Sequence, residues 1–364
     1  MKVVFRTDAS SWIGSGHTMR CATIAKHLKK KKVEIHFVCR KMPGDYTDWL
    51  IRQNFNVHIL PESKSPYKTP NSGLAHESWL GVTSFQEQED TRSVLSSIDS
   101  IEWLVIDHYG LDCSWETAMK SYSKKIMVID DLADRKHVCD LLLDQNLFTN
   151  ARERYQDKIP DTCEMLLGPQ YALLQDEYAL LHGETAFRKG DVKRILVFFG
   201  GADEKNNSEM AIQAFMELNR EDIELDVVVG QCHQQFTKFK KTTKHIKNIN
   251  IYSDLPTLAP LMAKADIALG ASGATSWERC CMGLPSIVIA LAENQIKIAS
   301  ELDSGGFIHY LGDVGIVTKN DIYSCLKQLV DLGIPSDWSE RCWNLVDGNG
   351  VKRVSSFMGI IDEY

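Results

Sequence analysis

The stretch that decides the fold is KVVFRTDASSWIGSGHTMRCATIAKHL, residues 2–28. Its first residues, KVVFRTD, form a short apolar run that predicts a buried strand. The segment HTMRCATIAKHLKK then predicts a helix that carries Ile24, Ala25 and Leu28 on one face. The glycine turn IGSGH joins the two elements. A strand, a turn and a helix in this order begin a βαβ unit, so the stretch predicts a parallel α/β sheet.

The same alternation of strands and helices continues along the chain. Strands are predicted at VEIHFVCR, NFNVHIL, IEWLVIDHY (101–109), KKIMVIDDL (124–132) and CDLLLDQN (139–146). The rhythm lapses over residues 151–190 and restarts at VKRILVFFGG, followed by IELDVVVG, INIYSD, LAPLMAKADIALG and LPSIVIAL. We therefore predict an α/β fold of two Rossmann-like, doubly wound domains facing a cleft. The predicted domains cover residues 1–185 and 186–345, with a closing helix in the tail 346–364.

The composition indicates an ordinary soluble enzyme. The 364 residues are 44% hydrophobic and 25% charged, and this length suggests two domains. A formal net charge of -8 argues against a surface that coats nucleic acid. The ten cysteines include no CxxC pair, which favours reduced thiols in a cytoplasmic protein. No signal peptide or membrane span is expected, and we predict a monomer or weak dimer.

The richest stretch for function is ADIALGASGATSWERCCMGLPSIVIALAENQ, residues 265–295. A strand is predicted to end at Leu269, and Gly270, Ser272 and Gly273 form a loop before a helix that begins near Thr275. Free backbone N–H groups at the start of a helix, with hydroxyl donors beside them, favour an anion. An ordinary capping loop is the alternative interpretation.

Two further features of the second domain point to a nucleotide. Glu278 lies three residues beyond Thr275, and a carboxylate beside a phosphate site suits a neutral diol such as a ribose. A second glycine loop, FFGGADEKN (198–206), places Gly200 and Gly201 between a predicted strand and a predicted helix. Two such loops in one domain favour a nucleotide diphosphate over a simple capping loop.

The opening turn excludes the best-known nucleotide motifs and leaves a histidine to explain. Met19 stands where GxGxxG requires its third glycine, and no Lys-Ser/Thr pair follows the glycines of a P-loop. His17 begins a helix, whose amino end disfavours the protonated imidazole and keeps it able to accept a proton. This position predicts a general base, with a capping histidine as the alternative.

Other polar residues of the first domain follow predicted strands, where ligands of α/β sheets bind. An Asx turn is the ordinary alternative for each of them. The adjacent carboxylates of Asp130 and Asp131 are expected to point apart at a strand end, so neither a metal site nor a cofactor is predicted. These candidates are Asp107, His108, Tyr109, Asp130, Asp131, Arg135, His137, Asp144 and Asn146.

Six motifs in order resemble a known enzyme family. They are RTDASSWIGSGHTMRCATIAKHL, VIDHYGLDCSWE, VIDDLADRKHVCDLLLDQN, LLGPQYALLQDEY, FFGGADEKN and GASGATSWERCCMGLPSIVIALAENQ. Together they resemble the UDP-2,4-diacetamido-2,4,6-trideoxy-β-L-altropyranose hydrolases of pseudaminic acid biosynthesis, relatives of the MurG-like inverting glycosyltransferases. The resemblance extends from residue 1 to about residue 350. It implies a fold of the GT-B type and release of UDP by water attacking the anomeric carbon with inversion.

The resemblance also implies roles for individual residues. His17 would be the catalytic base, Glu278 would hold the ribose, and UDP and a sugar would be the only ligands besides water. Backbone groups near residues 254–258, including Leu255 and Leu258, would read the uracil, and Ser272, Gly273, Thr275, Gly200 and Gly201 would lie at the phosphates. Sugar contacts are expected from Gly14, Arg20, Asp107, Tyr109, Asp131, Asn294 and Gln295.

Four other functions stay open from the sequence. An inverting UDP-sugar glycosyltransferase of the same fold would use a hydroxyl acceptor in place of water. A hydrolysing UDP-GlcNAc 2-epimerase would share the fold and differ in the nucleotide sugar consumed. A two-domain sugar-binding protein without turnover is less consistent with the absence of a signal peptide. A dehydrogenase is the weakest alternative, because neither glycine loop has the dinucleotide fingerprint.

Overall fold

The computed structural model describes residues 1–66, 73–201, 203, 205–230, 235–253 and 255–361, and it divides the chain into two compact units. The first unit contains residues 1–146 and 150–173 together with the chain from Gly350 onwards. The second unit contains residues 147–149 and 174–349. Each unit is built around one parallel sheet, which confirms the predicted α/β class.

The first sheet has seven parallel strands in the order β3-β2-β1-β4-β5-β6-β7. Alternate residues of the first strand enter different cores, since Val3 and Phe5 pack on one face and Val4 on the other. Burial on both faces explains why these strands read as continuous apolar runs. The strands are β1 (Lys2–Thr7), β2 (Glu34–Arg40), β3 (Asn56–Leu60), β4 (Ile101–Asp107), β5 (Ser123–Ile129), β6 (Leu141–Asp144) and β7 (Glu164–Leu167).

Five helices of the first unit connect these strands. Local capping fixes where some of them begin, because Thr83 accepts from the Gln86 N–H and Asp112 accepts from the N–H groups of Ser114 and Trp115. The helices are α1 (Gly16–Lys30), α2 (Thr47–Arg52), α3 (Ser84–Leu95), α4 (Cys113–Met119) and α5 (Ala151–Arg154).

The second sheet has six parallel strands in the order β10-β9-β8-β11-β12-β13. Its strands are β8 (Arg194–Phe198), β9 (Glu224–Val229), β10 (Ile249–Ser253), β11 (Ile267–Ala271), β12 (Ser286–Ala290) and β13 (His309–Asp313). In both sheets the strand order reverses beside the first strand of the unit, between β1 and β4 and between β8 and β11. Such a switch point is where ligands of doubly wound sheets bind.

Helices of the second unit are α6 (Asp176–His182), α7 (Asn207–Glu217), α8 (Phe236–Thr243), α9 (Ala259–Lys264), α10 (Thr275–Cys281), α11 (Glu293–Ser304), α12 (Lys319–Leu332) and α13 (Ser336–Leu345). The last described helix, α14 (Gly350–Phe357), lies within the predicted tail and returns to the first unit. There it packs on α1, and the Trp103 indole donates to the Met358 carbonyl at 3.0 Å. Within the residues that the structure describes, no helix is long and apolar enough to cross a membrane.

The structure differs from the sequence prediction around residues 151–190. The change of unit falls between Leu173 and Leu174, ahead of the joint predicted near residue 185, because α6 packs on α9 and α10 of the second unit. The segment that lacked a strand rhythm also contains β7, which pairs in parallel with β6. Only the parallel pairing with β6 identifies these four residues as a strand.

A buried histidine ties α4 to the loop between β5 and β6. Its Nδ1 lies 2.6 Å from Glu116 Oε1, and its Nε2 lies 3.8 Å from Asp130 Oδ2. Burial alone would lower the pKa of His137, but the carboxylates of Asp130 and Glu116 outweigh burial and raise that pKa to about 9. The folded protein therefore holds His137 as a cation between two carboxylates at neutral pH.

This arrangement predicts a pH-dependent stability. Because the pKa is raised on folding, the contribution of His137 is fully present below about pH 6.5 and is lost as the pH rises through 9. We expect the free energy of unfolding to fall by up to ~3 kcal/mol between these limits. Urea unfolding from pH 6 to pH 10 measures it. The slope should flatten in His137→Gln and persist in the control His245→Gln, which changes an exposed histidine. An unchanged slope in His137→Gln would show that another group titrates.

Candidate active site

His17 lies at the start of α1, after a turn that requires glycine. Gly14 has a φ of +80°, and its N–H donates to the Ser10 carbonyl at 2.9 Å. The Ser10 hydroxyl accepts from the N–H groups of Trp12 and Ile13, which closes the turn. An L-residue with a side chain rarely adopts that φ, so Gly14 shapes the backbone that delivers His17 to the carboxyl end of β1.

The carboxylate of Asp107 is the centre of the first-unit site. Asp107 ends β4 opposite Thr7 of β1, at the switch point of the sheet, and it is fully buried. Its Oδ1 lies 2.5 Å from His17 Nδ1 and 2.6 Å from Arg20 Nη2, while its Oδ2 lies 2.6 Å from Arg20 Nε. Burial alone would raise the pKa of Asp107, but the Arg20 guanidinium and His17 hold that pKa below its usual range.

Arg20 extends this network to two more of the predicted residues. Its Nη1 donates to Asp131 Oδ2 at 3.0 Å, and the hydroxyl of Tyr109 hydrogen-bonds the other oxygen of Asp131. The Tyr109 ring meets the imidazole of His17 edge-on, with ring centroids 4.4 Å apart. The structure therefore brings together five residues that the sequence predicted separately: His17, Arg20, Asp107, Tyr109 and Asp131.

Two aromatic residues of this site were missed by the sequence analysis. Trp79 lies on a short 3₁₀ helix, Glu77–Leu80, and stacks on Tyr109 with centroids 5.4 Å apart. Its ring also lies edge-on to His17 at 6.1 Å, and His76 contacts both Trp79 and Tyr109. A 3₁₀ turn has no apolar period that would point to it, so the only sequence signal was the cluster of His and Trp itself.

These contacts assign the tautomer of the neutral imidazole. The proton on Nδ1 is directed to the Asp107 carboxylate, which leaves Nε2 as the nitrogen that can accept another proton. Two hydrogen bonds from Arg20 hold the Asp107 carboxylate in place. The carboxylate in turn orients the imidazole ring and would stabilise its protonated form. A histidine held in this way by a carboxylate has the geometry that a general base requires.

The remaining first-unit candidates hold the surrounding loops. His108 is buried and accepts from the Gly110 N–H at 3.0 Å, and burial lowers its pKa to about 3. Asp130 pairs with Arg135 at 2.8 Å, so it and Asp131 face different cations. Among the described residues, no group of three His, Cys, Asp or Glu side chains is arranged to hold a metal ion. Asp144 pairs with Arg154 and accepts from the Asn146 N–H at 3.0 Å, which is the Asx turn.

The second-unit loop follows β11 at the other switch point. The strand was predicted to end at Leu269, and the structure extends it to Ala271 with Gly270 paired to Phe198 of β8. A Cβ on Gly270 would lie 2.5 Å from the Phe198 carbonyl oxygen, so close strand pairing requires a glycine here. The prediction was short because glycine and serine are typical of loops.

The hydroxyl groups of this loop meet a buried guanidinium. Arg279 Nη1 donates to Thr275 Oγ1 at 3.2 Å, and Nη2 donates to the Ala271 carbonyl at 2.9 Å and to Ser276 Oγ at 3.1 Å. Ser272 is 1% exposed, and its hydroxyl has no hydrogen-bond partner among the described residues. A buried hydroxyl without a partner is costly in a folded protein and marks a place where a ligand could supply one.

A tyrosine outside the predicted set connects the other candidates of this unit. Tyr178 is buried near Glu278, Thr257 and Leu258, and burial and the Glu278 carboxylate raise its pKa. Burial raises the pKa of Glu278, and Tyr178 and the positive charge of Arg279 oppose that shift only in part. The Leu258 carbonyl accepts from the N–H groups of Leu261 and Met262, so this carbonyl is already engaged. Leu255 is 36% exposed, and residue 254 lies outside the described residues.

The two glycine loops of the second unit differ in what they offer to an anion. After Gly200, with a φ of +91°, Asp203 accepts from the N–H groups of Asn207 and Ser208 at the start of α7. A carboxylate already occupies these donors and would repel a phosphate. Gly201 packs so closely on Gly230 that a Cβ on Gly230 would lie 1.9 Å from its carbonyl oxygen. The loop before α10 is therefore the better anion site.

The two amide residues that follow β12, Asn294 and Gln295, have different surroundings. Gln295 lies in the first turn of α11, and its Oε1 accepts from the Leu291 N–H at 3.0 Å. A Cβ on Gly273 would lie 4.0 Å from Gln295 Nε2, so this amide borders the loop before α10. Asn294 is exposed on the same turn. Within the second unit, Ser272, Gly273, Thr275 and Gln295 thus form one cluster beside Arg279.

Comparison with known proteins agrees with this division into units. Residues 194–310 match the glycosyltransferase family 28 C-terminal domain. The chain is 27% identical to the UDP-2,4-diacetamido-2,4,6-trideoxy-beta-L-altropyranose hydrolase of Campylobacter jejuni over 84% of this chain and 98% of that protein. It is 24% identical to the spore coat polysaccharide biosynthesis protein SpsG of Bacillus subtilis over 98% of both chains.

Solved structures show the same fold at low sequence identity. MurG of Acinetobacter baumannii matches with a TM-score of 0.64 and 13% identity, over 98% of this chain and 99% of that chain. The UGT2 of Phytolacca americana, in complex with UDP-2fluoro-glucose and pterostilbene, matches with a TM-score of 0.66 and 14% identity over 98% of both chains. The predicted resemblance is confirmed: this chain is related in sequence to the UDP-sugar hydrolase of Campylobacter jejuni and has the two-unit GT-B fold of MurG.

Proposed function

We propose that this protein hydrolyses a UDP-linked 2,4-diacetamido-2,4,6-trideoxyhexose of the altropyranose type to UDP and the free sugar, as a step of pseudaminic acid biosynthesis. The observation that carries the proposal is the bond of 2.5 Å between His17 Nδ1 and Asp107 in a chain related to such a hydrolase. We assign the sugar and the water to the first unit and UDP to the second. The described cysteines are free, which suits the reducing cytoplasm that we propose as its location.

In the proposed reaction, a water molecule attacks the anomeric carbon from the face opposite to the diphosphate. His17 Nε2 takes a proton from that water as the new C–O bond forms. The bond between the anomeric carbon and the bridging oxygen breaks, and UDP leaves with that oxygen and the electron pair. Asp107 stabilises the imidazolium that forms, as carboxylates do beside catalytic histidines. The configuration at the anomeric carbon inverts.

The leaving group is the second half of the proposal. We assign the phosphates to Ser272, Gly273 and Thr275, because the buried hydroxyl of Ser272 lacks a partner within the described part of the chain and Arg279 lies behind the loop. Gly200 and Gly201 stay a weaker assignment, since Asp203 fills the start of α7. Donors aimed at a developing charge can supply most of the stabilisation of a transition state. We therefore propose catalysis without a divalent metal.

The remaining contacts are proposals from position. We assign the ribose diol to Glu278 and the uracil to the segment at Leu255, with Leu258 contributing shape because its carbonyl is engaged. For the sugar we propose contacts from Arg20, Tyr109 and Asp131 of the first-unit network, and the aromatic faces of Trp79 and Tyr109 would pack on its apolar groups. Gly14, Asn294 and Gln295 complete the proposed set of sugar residues.

The experiment that tests the function follows the reaction in water enriched in oxygen-18. Purified protein with the UDP-linked diacetamido sugar should release UDP without any acceptor, and the label should enter the free sugar. Proton NMR at early times should show the inverted anomer. Chelation with EDTA should leave the rate unchanged. Label in UDP instead would mean cleavage of a P–O bond and would contradict the proposal.

The same assay separates the alternative functions. The match to the glycosyltransferase family 28 domain favours an inverting transferase as the second candidate. A transferase would release UDP at a useful rate only when a hydroxyl acceptor is added. UDP-GlcNAc serves as the control substrate, because its preferred consumption would indicate an epimerase.

Substitutions in the first-unit network test the base. We expect His17→Ala to lower kcat by ~10²–10⁴-fold, because no other group would take the proton. Asp107→Asn should lower kcat by at least ~10-fold with little change in KM, because an amide N–H favours the wrong imidazole tautomer. The control His58→Ala changes a half-buried histidine on β3 and should keep the rate. Near-normal kcat in His17→Ala would show that the base assignment is wrong.

A nucleotide comparison tests Glu278. Wild-type protein should bind UDP more tightly than 2′-deoxy-UDP, because the carboxylate would accept from the ribose hydroxyls. Glu278→Gln should weaken UDP by ~10-fold and lose most of the preference over 2′-deoxy-UDP. Calorimetric titration measures both ligands, with Glu340→Gln as the control at an exposed glutamate of the second unit. A preserved preference in Glu278→Gln would place the ribose elsewhere.

A further inference from the structure

We propose that Arg279 is a positioning residue for the diphosphate: its buried guanidinium supplies the positive charge that balances the phosphates and directs the hydroxyl of Thr275 towards them. This inference rests on the proposed function, since it takes the loop before α10 as the phosphate site. It adds a residue that lies behind the loop and that the sequence analysis did not single out.

Arg279 is held rigidly beneath the loop. The residue is 3% exposed, and its guanidinium donates to the Ala271 carbonyl at 2.9 Å. A Cβ on Gly270 would lie 3.0 Å from Arg279 Nη1, so the absence of a side chain on β11 makes room for the guanidinium. One end of the loop is therefore fixed to a cation that cannot move away without breaking these contacts.

This guanidinium has no carboxylate partner within ion-pairing distance among the described residues. Other buried arginines are paired, since Arg6 lies 2.7 Å from Asp8 and Arg20 lies 2.6 Å from Asp107. Arg188 also lacks a carboxylate, but four backbone carbonyls fill its N–H groups. Arg279 differs from all three because its Nε has no hydrogen-bond partner among the residues described.

A buried guanidinium without an ion pair favours the binding of an anion nearby. Burial lowers the pKa of Arg279, and Cys280 and the Glu278 carboxylate, which lies beyond ion-pairing distance, restore only part of the loss. Ion pairing in a medium of low dielectric constant is strong, so a diphosphate at this loop would relieve the penalty. A diphosphate carries more than one negative charge, which leaves charge for donors at the front of the loop.

The hydroxyl of Thr275 connects the guanidinium to the proposed ligand. Its Oγ1 accepts from Arg279 Nη1 at 3.2 Å, and a hydroxyl that accepts one bond still has its own proton to donate. Hydrogen bonds in a chain polarise one another, so the cation makes this hydroxyl a better donor to an anion. Thr275 is partly exposed, whereas Arg279 is not, so the hydroxyl can reach a ligand that the guanidinium cannot.

The test compares the affinities of UDP and uridine, because the difference between them isolates the phosphates. Wild-type protein should bind UDP more tightly than uridine in calorimetric titrations. Arg279→Gln should weaken UDP by roughly 10- to 100-fold and leave uridine within about twofold. Arg279→Lys keeps the charge and should retain part of the preference. The exposed Arg220, changed in Arg220→Gln, is the control for loss of a positive charge from the same unit.

A second pair of variants tests the hydroxyl of Thr275, which connects Arg279 to the proposed ligand. This pair also serves if Arg279→Gln does not fold. Thr275→Val removes the hydroxyl at nearly constant shape and should lose most of the preference for UDP, while Thr275→Ser should keep it. Equal losses for UDP and uridine in Arg279→Gln, or none, would overturn the inference while the proposed function stands. A wild-type protein that binds UDP no better than uridine would overturn both.

Discussion

The carboxylate of Asp107 is the constraint on which the first unit depends. It is fully buried at the end of β4, and a buried carboxylate is tolerated only when cations and donors surround it. Arg20 meets that need with two bonds of 2.6 Å, and this pairing fixes how α1 lies on the sheet. His17 is three residues earlier, on nearly the same face of the helix, so it reaches the same carboxylate. The imidazole is thus oriented by the same buried carboxylate that Arg20 neutralises.

The second unit differs from the first in how its buried charge is paired. In the first unit, Asp107 and Asp131 share Arg20, so the charges are balanced within the fold. Behind the loop before α10, the guanidinium of Arg279 has only carbonyl and hydroxyl acceptors among the described residues. Both features lie at the switch points of their sheets, where backbone diverges and side chains can meet a ligand. The same architecture therefore provides a histidine oriented by a carboxylate in one unit and, in the other, a buried guanidinium without an ion pair among the described residues.

Much of the fold and part of the site could be predicted from local patterns. Buried parallel strands appear as apolar runs, and β1 to β6 follow those runs, whereas β7 lies in the segment that lacked a strand rhythm. Asp107 and Asp131 could be selected because polar residues at strand ends meet at one edge of a sheet. Trp79 and Tyr178 could not, since one lies in a 3₁₀ turn and the other in a segment without rhythm. Arg279 could not be selected either, because in the sequence it is only a charged residue of a short helix.

By itself, the sequence determined the α/β class, the two parallel sheets, the approximate positions of most strands and the absence of a dinucleotide fingerprint, because each depends on neighbouring residues. Only the tertiary structure decided which polar groups pair. It joined His17 to Asp107 across 90 positions of the chain, and it filled the start of α7 with Asp203 while leaving the Ser272 hydroxyl without a partner among the described residues. Hydrogen-bond partners depend on distance in space, and strand order brings together residues that no local period relates.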